Sequence, residues 1–390
     1  MLIMSKNYAY LINAFPEAGG AFTYARELFG YDHGFLVSWF LALTYLAMLW
    51  ANATSIPLFA RYFLGDILSF GKLYKIFDYD VYLGGVLVTC AVILLFALLC
   101  ARWKKTSAVL MLIMVILFTA GIILCFAGAF LGHKGSFDPV YIPDVSAARQ
   151  VIGIACISPW AFIGFENVSH VVEETTFQRT KMFRVLVASV LISTLLYACV
   201  TLLSVTAYPP EYASWLEYIN DLGNLSGIKG LPAFYAANVY MGKNGVTILM
   251  VSLLCLVFTS LIGNITALSR LFFALGKDGI LLERFGRLDA SGAPANAIWL
   301  IAAISMVIPL LGRTAIVWIV DVTTLGATIV YGFVSSCACK LASGRQDRTE
   351  IRTGLAGLGF IYFRRILRLD HNKRFGQSII IIRPSISGEF

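Results

Sequence analysis

The sequence predicts an all-α, multi-pass transmembrane helical bundle, and three observations carry that prediction. Of its 390 residues 59% are hydrophobic and 13% charged, against roughly 45–50% and ~25% in soluble domains, and the mean hydropathy is +0.79. Eight apolar runs follow one another, each near the ~20 residues that a helix needs to cross the hydrocarbon. Lysine and arginine gather in alternate connections between those runs, which sets an orientation.

In chain order the predicted spans are Gly34 to Leu64, Val81 to Ala101, Ala108 to Leu131, Arg149 to Val172, Arg184 to Ala207, Gly245 to Leu275, Pro294 to Gly312 and Ala315 to Leu341. Met1 to Phe15 is apolar but short and carries Lys6, and it reads as the inner half of a span whose beginning is absent. No signal peptide is expected, because a basic start, apolar core and small-residue cleavage site do not occur in that order. Arg26, then Arg102, Lys104 and Lys105, then Arg179, Lys181 and Arg184, then Lys277, Arg284 and Arg287, then Lys340, Arg345, Arg348 and Arg352 are assigned to the cytoplasm by the positive-inside rule. The opposite connections are richer in acids, tyrosine and proline, and the long one from Tyr208 to Lys243 is expected to carry a short covering helix around Pro232 to Tyr240.

Two domains of unequal character are expected, a transmembrane unit over 1–343 and a partial further helix with a basic tail over 344–390. Thr353 to Phe363 begins like another span until Arg364-Arg365 interrupts it. The tail reads either as a solvated cytoplasmic segment or as a departure of the reading frame near Phe363, the second being favoured.

The net charge of +8 does not point to nucleic acid, because the basic residues sit in short loops rather than on one soluble face. Cys90, Cys100, Cys125, Cys156, Cys199, Cys255, Cys337 and Cys339 all lie in apolar segments, where a small polarizable side chain packs well. With four scattered histidines they predict neither a disulfide framework nor a metal site, and no cofactor is expected. HExxH, GxSxG and P-loop patterns are missing, so no enzyme is predicted.

Chemistry concentrates in Trp160-Ala161-Phe162-Ile163-Gly164-Phe165-Glu166-Asn167, which sets a glycine and a carboxylate inside an apolar span. Glycine between bulky residues is where a spanning helix can break, exposing amides and carbonyls to a small solute. An ionised Glu166 at mid-membrane costs about 2.5–3.5 kcal/mol or more, so it is expected to be protonated, paired or facing water. It reads as a coupling or gating group, or as a structural carboxylate capping the amides of the broken helix. Trp160, six residues earlier, shares a face with Glu166 only if the helix is continuous; it is either a gate to solvent or a packing aromatic.

Asp321, roughly 9 Å into the last span, reads as a proton relay or outer gate, or as a helix-end residue paired with Arg313 or Arg61. Asn52, with Thr54 and Ser55, and the stripe Thr259, Ser260, Gly263 and Asn264 can ligate a cation or solute, or glue helices at about 0.6 kcal/mol each. Two polar stripes beside a broken helix favour a cavity. Glu173-Glu174 reads as a solvated charge cluster at the cytoplasmic end of that helix.

Three stretches resemble the amino acid, polyamine and organocation transporter superfamily of LeuT-type fold. They are Pro16 to Tyr24, with its Pro-x-x-Gly-Gly-x-x-x-Tyr spacing, Trp160 to Glu174, and Arg270 to Gly279. The resemblance implies an alternating-access permease for amino acids or related amines, residing in a bilayer, expected to be the cell (plasma) membrane, and driven by H+ or Na+ in symport or exchange. It implies that backbone at Phe162, Ile163, Gly164 and Phe165 holds the substrate's amino end, that Trp160 gates, and that Asn52 and Asn264 face substrate. Glu166 matches a carboxylate linked to the proximal pathway, and ion coupling is assigned to Glu166, Thr259, Ser260 or Asp321. The family's first helix is expected to be missing and its last helices absent or disrupted, which makes a non-transporting or degenerate membrane protein of the same inverted-repeat fold the alternative expectation. The fifth-helix lysine of some proton-coupled relatives has no counterpart in Ala108 to Leu131, and the proline usual near Arg179 is missing too.

Overall fold

The computed structural model describes residues 1–76, 79–133, 138, 142, 145–175, 178–225 and 227–344, without the side chains of 62, 64, 66, 79, 156–160, 313–317 and 320–322. The helices are α1 (Leu2–Ala14), α2 (Ala21–Phe29), α3 (Tyr31–Leu64), α4 (Leu83–Arg102), α5 (Lys104–Gly132), α6 (Ala147–Ala161), α7 (Met182–Val205), α8 (Trp215–Asn220), α9 (Pro232–Lys277), α10 (Ala295–Ser305) and α11 (Gly312–Gly344). Six of the described segments are helices long and apolar enough to cross a membrane. The chain is an integral, multi-pass helical membrane protein.

Burial sorts the helices into an inner and an outer set. In the most apolar windows, half or more of the residues are buried inside the protein in α3 (50%) and α11 (56%), against 17% in α5 and 22% around α7. The first two are therefore the centre of the bundle, and the last two turn most of their apolar surface to lipid. The core is continuous, running from Tyr8, Leu11 and Ile12 of α1 through Phe22 and Tyr24 of α2 and Tyr45 and Leu49 of α3 to Leu261, Leu268 and Leu271 of α9. Small residues let α5 and α9 approach closely, as membrane helices require without a hydrophobic drive between them: Gly128 faces Met241, and Gly132 faces Tyr240.

The break expected within 149–172 is present: α6 ends at Ala161 and the chain goes on as 3-10 turns over Phe165–His170 and Val172–Glu174. Two differences from expectation have local causes. The span 294–312 is helical only to Ser305 and closes with a 3-10 turn at Ile308–Leu311, where Pro309 withholds a backbone donor. Residues after α3 form a two-stranded antiparallel ribbon, β1 (Lys72–Ile76) and β2 (Tyr79–Tyr82), rather than plain loop. Alternating aromatic, branched and charged residues suit a strand; Lys72 pairs with Asp80 at 2.8 Å and the Tyr74 hydroxyl donates to the Leu310 carbonyl at 2.6 Å. The covering helix expected at 232–240 is present as the first part of α9, set off by Gly242 at φ 61°.

The basic residues assigned to one side of the membrane do meet at one end. Arg26 pairs with Asp278, Lys340 donates to the Leu28 carbonyl at 2.6 Å, and Lys104 pairs with Glu174 at 2.6 Å.

Candidate functional site

The site begins where α6 stops. Helix termini leave backbone groups without partners, and inside a bilayer water cannot supply them. Gly164 turns the chain at φ 106°, a left-handed conformation that glycine adopts without cost. The freed carbonyl of Ala161 accepts from the Tyr197 hydroxyl of α7 at 2.7 Å, and Phe162 lies edge-on to the same ring at 5.9 Å between centroids. The Gly164 amide donates to Glu166 Oε2 at 3.0 Å. An alanine at 164 would meet Asn167 Nδ2 at an ordinary contact distance of 3.6 Å but would have the wrong backbone, so Gly164→Ala is expected to cost about 1–2 kcal/mol; a melting curve indistinguishable from wild type would contradict the left-handed turn.

Glu166 is only 2% exposed, and its contacts are neutral donors rather than a cation. Tyr45 of α3 donates to Oε1 at 3.2 Å, Tyr331 of α11 lies 3.4 Å from Oε2, and the Gly164 amide completes the cage. The carboxylate thus caps the break and joins two central helices at once, so the structural and gating readings describe the same geometry. Tyr45 also contacts His170 Nε2 at 3.0 Å. Phe165 packs edge-on against Tyr8 of α1 at 5.6 Å and lies 6.2 Å from Tyr331, while Ile163 packs at the margin of the core.

The two polar stripes form one row. Asn52 Nδ2 donates to Ser260 Oγ at 2.9 Å and to the Met48 carbonyl at 2.7 Å, while Asn264 Nδ2 donates to Ser260 Oγ at 3.1 Å. Asn167 lies against α9 from the broken-helix side: a side chain placed on Gly263 would meet its Nδ2 at 3.8 Å, and its buried Oδ1 has no hydrogen-bond partner among the described residues. Thr259 instead donates to its own helix at the Cys255 carbonyl, 2.6 Å away. A small cavity of about 40 Å³, lined by Thr54, Arg61, Tyr82, Thr89 and Gly312 among others, lies beyond Asn52 on the opposite side from the Arg26 and Lys104 contacts. Arg61 stacks over Tyr82 there, at 5.4 Å.

Trp160 and Asp321 fall in α6 and α11, but their side chains lie outside the described residues. The helix ends one residue after Trp160, so the face it would share with Glu166 on a continuous helix does not exist.

Glu173 and Glu174 are exposed, as expected, but each also holds a partner. Glu173 Oε1 accepts from the Ala18 amide at 3.0 Å, and Glu174 pairs with both Lys104 and the buried Arg270. Arg270 and Lys104 also donate to the Gly292 carbonyl, at 2.7 and 3.3 Å. The tail of the broken helix, α5, α9 and the loop before α10 are thereby tied at one end of the bundle. Sequence reasoning missed Tyr45, Tyr331, His170 and Asn167 as site members. The available signal was their polar character inside apolar runs, which Asn167 and His170 share with Glu166.

The amino acid permease family model matches residues 1–366. The chain belongs to that family. It is 26% identical to a branched-chain amino acid permease of Lactococcus lactis over 344 residues, which is 84% of this chain and 69% of the relative. It is 25% identical to a mitochondrial cationic amino acid transporter of Arabidopsis thaliana, over 72% of this chain and 45% of that protein. An arginine/ornithine antiporter of Pseudomonas aeruginosa shares 26% identity over 77% of this chain and 59% of its own length. The chain thus spans between about half and two thirds of the length of these relatives.

Proposed function

We propose that this permease-family chain moves an amino acid across the membrane by alternating access around the break between Ala161 and Phe165. The observation that carries the reading is the unwound segment itself: a left-handed Gly164 between two helical pieces, beside a row of side-chain amides on α3 and α9. Backbone at Phe162 to Phe165 offers partners to the substrate's charged end, with Asn167 on the same side and Asn52 and Asn264 on the facing helices. Phe162 and Ile163 make the break itself apolar, and the relative matched over the greatest share of this chain among the three is a branched-chain amino acid permease. These favour a neutral, apolar amino acid.

Glu166 supports proton rather than sodium coupling. A buried carboxylate held by hydroxyls and an amide exchanges a proton without leaving a bare charge in the hydrocarbon. Proteoliposomes loaded with unlabelled leucine test the reading: labelled leucine should enter by counterflow, an inward acid gradient should drive accumulation, and a sodium gradient should not. Absence of counterflow for leucine, arginine and every other amino acid offered would sink the permease reading and leave a non-transporting member of the family.

A further inference from the structure

We propose that Arg179, Lys181 and Arg184, at the start of α7, form a docking site for an anionic phospholipid in the leaflet on the basic side of the bundle. The cations of this end divide into two groups. Arg26, Lys104, Arg270 and Lys340 turn inward, onto Asp278, Glu174 and the Leu28 carbonyl. Arg179, Lys181 and Arg184 are exposed, and none of the three side chains has a hydrogen-bond or ion-pair partner among the described residues. Their own stretch supplies no counter-charge, since no Asp or Glu occurs from 175 to 210.

The surface beside these cations calls for an amphiphile. Met182, Leu186 and Val190 bury one face of α7, while Val185, Ala188, Leu191, Ile192 and Leu195 are exposed on the other. Positions three and four apart share a helix face, so Arg184 heads that apolar stripe, and Phe183, 44% exposed, adds apolar surface next to it. From Arg184 to Leu195 the stripe runs about 16 Å at ~1.5 Å per residue, the depth of one leaflet of a hydrocarbon core ~30 Å thick. A headgroup phosphate meets the cations while an acyl chain lies along the stripe. Free phosphate gains nothing from the stripe, and a zwitterionic headgroup brings a cation of its own against three others.

The elbow between α4 and α5 is the rival place, with Arg102, Trp103 and Lys105 exposed. It offers two outward cations rather than three, and Lys104 between them holds the Glu174 carboxylate close by. The α7 site also bears on the broken helix. The Tyr197 hydroxyl of α7 holds the Ala161 carbonyl at 2.7 Å, so a lipid bound at the start of α7 anchors the helix that supplies this partner.

The test counts lipid and needs no transport, so its result is separate from that of the permease reading. The full chain, delipidated in a neutral detergent, is titrated with phosphatidylglycerol or phosphatidylcholine, and the first bound lipid is followed by native mass spectrometry. A basic residue near an anionic lipid surface is worth about fivefold in binding, and three together about 100-fold. Wild type should prefer phosphatidylglycerol by about 100-fold, and Arg179→Gln/Lys181→Gln/Arg184→Gln should bind the two lipids alike. Each single glutamine variant should lower the preference about fivefold, which decides the case even where the triple variant does not fold. Arg179→Lys/Arg184→Lys, which keeps the charges, and Arg102→Gln/Lys105→Gln, at the elbow, should both keep the wild-type preference. Glycerol phosphate at the lipid concentration should displace nothing. Equal binding of the two lipids by wild type, an undiminished preference in the glutamine variants, an equal loss in the elbow variant, or displacement by glycerol phosphate overturns the site.

Discussion

Glu166→Ala is expected to melt well below wild type and to lose acid-driven uptake, whereas Glu166→Gln loses the uptake alone. Alanine leaves the Gly164 amide and the Tyr331 hydroxyl without their acceptor, while Tyr45 keeps His170 Nε2, and each buried donor stranded in this way costs about 1–3 kcal/mol. The sum is about 2–6 kcal/mol, a large part of a domain's stability. Glutamine keeps one oxygen for the Gly164 amide, and a tyrosine oxygen can accept from its NH2, so the cage closes with little loss. Both variants remove the ionisable group, and a proton-transferring side chain typically contributes 10²–10⁴-fold to rate. Thermal melts in detergent and uptake under an acid gradient check the pair. Equal melting of alanine and wild type would show that the cage does not hold the break, and full acid-driven uptake by the glutamine variant would remove Glu166 from the coupling path.

The second large effect is at the tied end of the bundle. Glu174→Ala leaves Arg270, whose side chain is 6% exposed, without its carboxylate. Removing one partner of a buried pair costs about 3–5 kcal/mol, mostly as the penalty of the charge left behind. Lys104 retains the Gly292 carbonyl and loses less, because it is one third exposed. The double variant Glu174→Ala/Arg270→Met should therefore melt above Glu174→Ala alone, since it removes the stranded charge as well. Additive losses in the two single variants and the double would place Arg270 outside any interaction with Glu174.

The bundle was largely legible because hydropathy is local: seven of the eight predicted spans contain a helix that follows their bounds closely or for most of their length, and the remaining one was read as broken. Gly164 and Glu166 announced the break through types that an uninterrupted membrane helix rarely combines. The partners of Glu166 were not legible. Tyr45 and Tyr331 stand 121 and 165 residues away in sequence and look like ordinary aromatic residues of apolar helices. The expectation that Glu166 be protonated, paired or facing water did not name the two hydroxyls and one amide that hold it. Glu173 and Glu174 are exposed as read, but their partners, Arg270 and the Ala18 amide, come from distant segments and were not legible. His170 was set aside when the histidines were weighed only as metal ligands.

The Glu166 cage also constrains how the chain can change over generations. Its donors come from three separate segments, α3, α11 and the turn at Gly164, so no one of them can be exchanged for an apolar residue while the carboxylate stays. Positions 45, 166 and 331 should therefore drift together, and lineages that abandon the carboxylate should be found to have shed both hydroxyls as well.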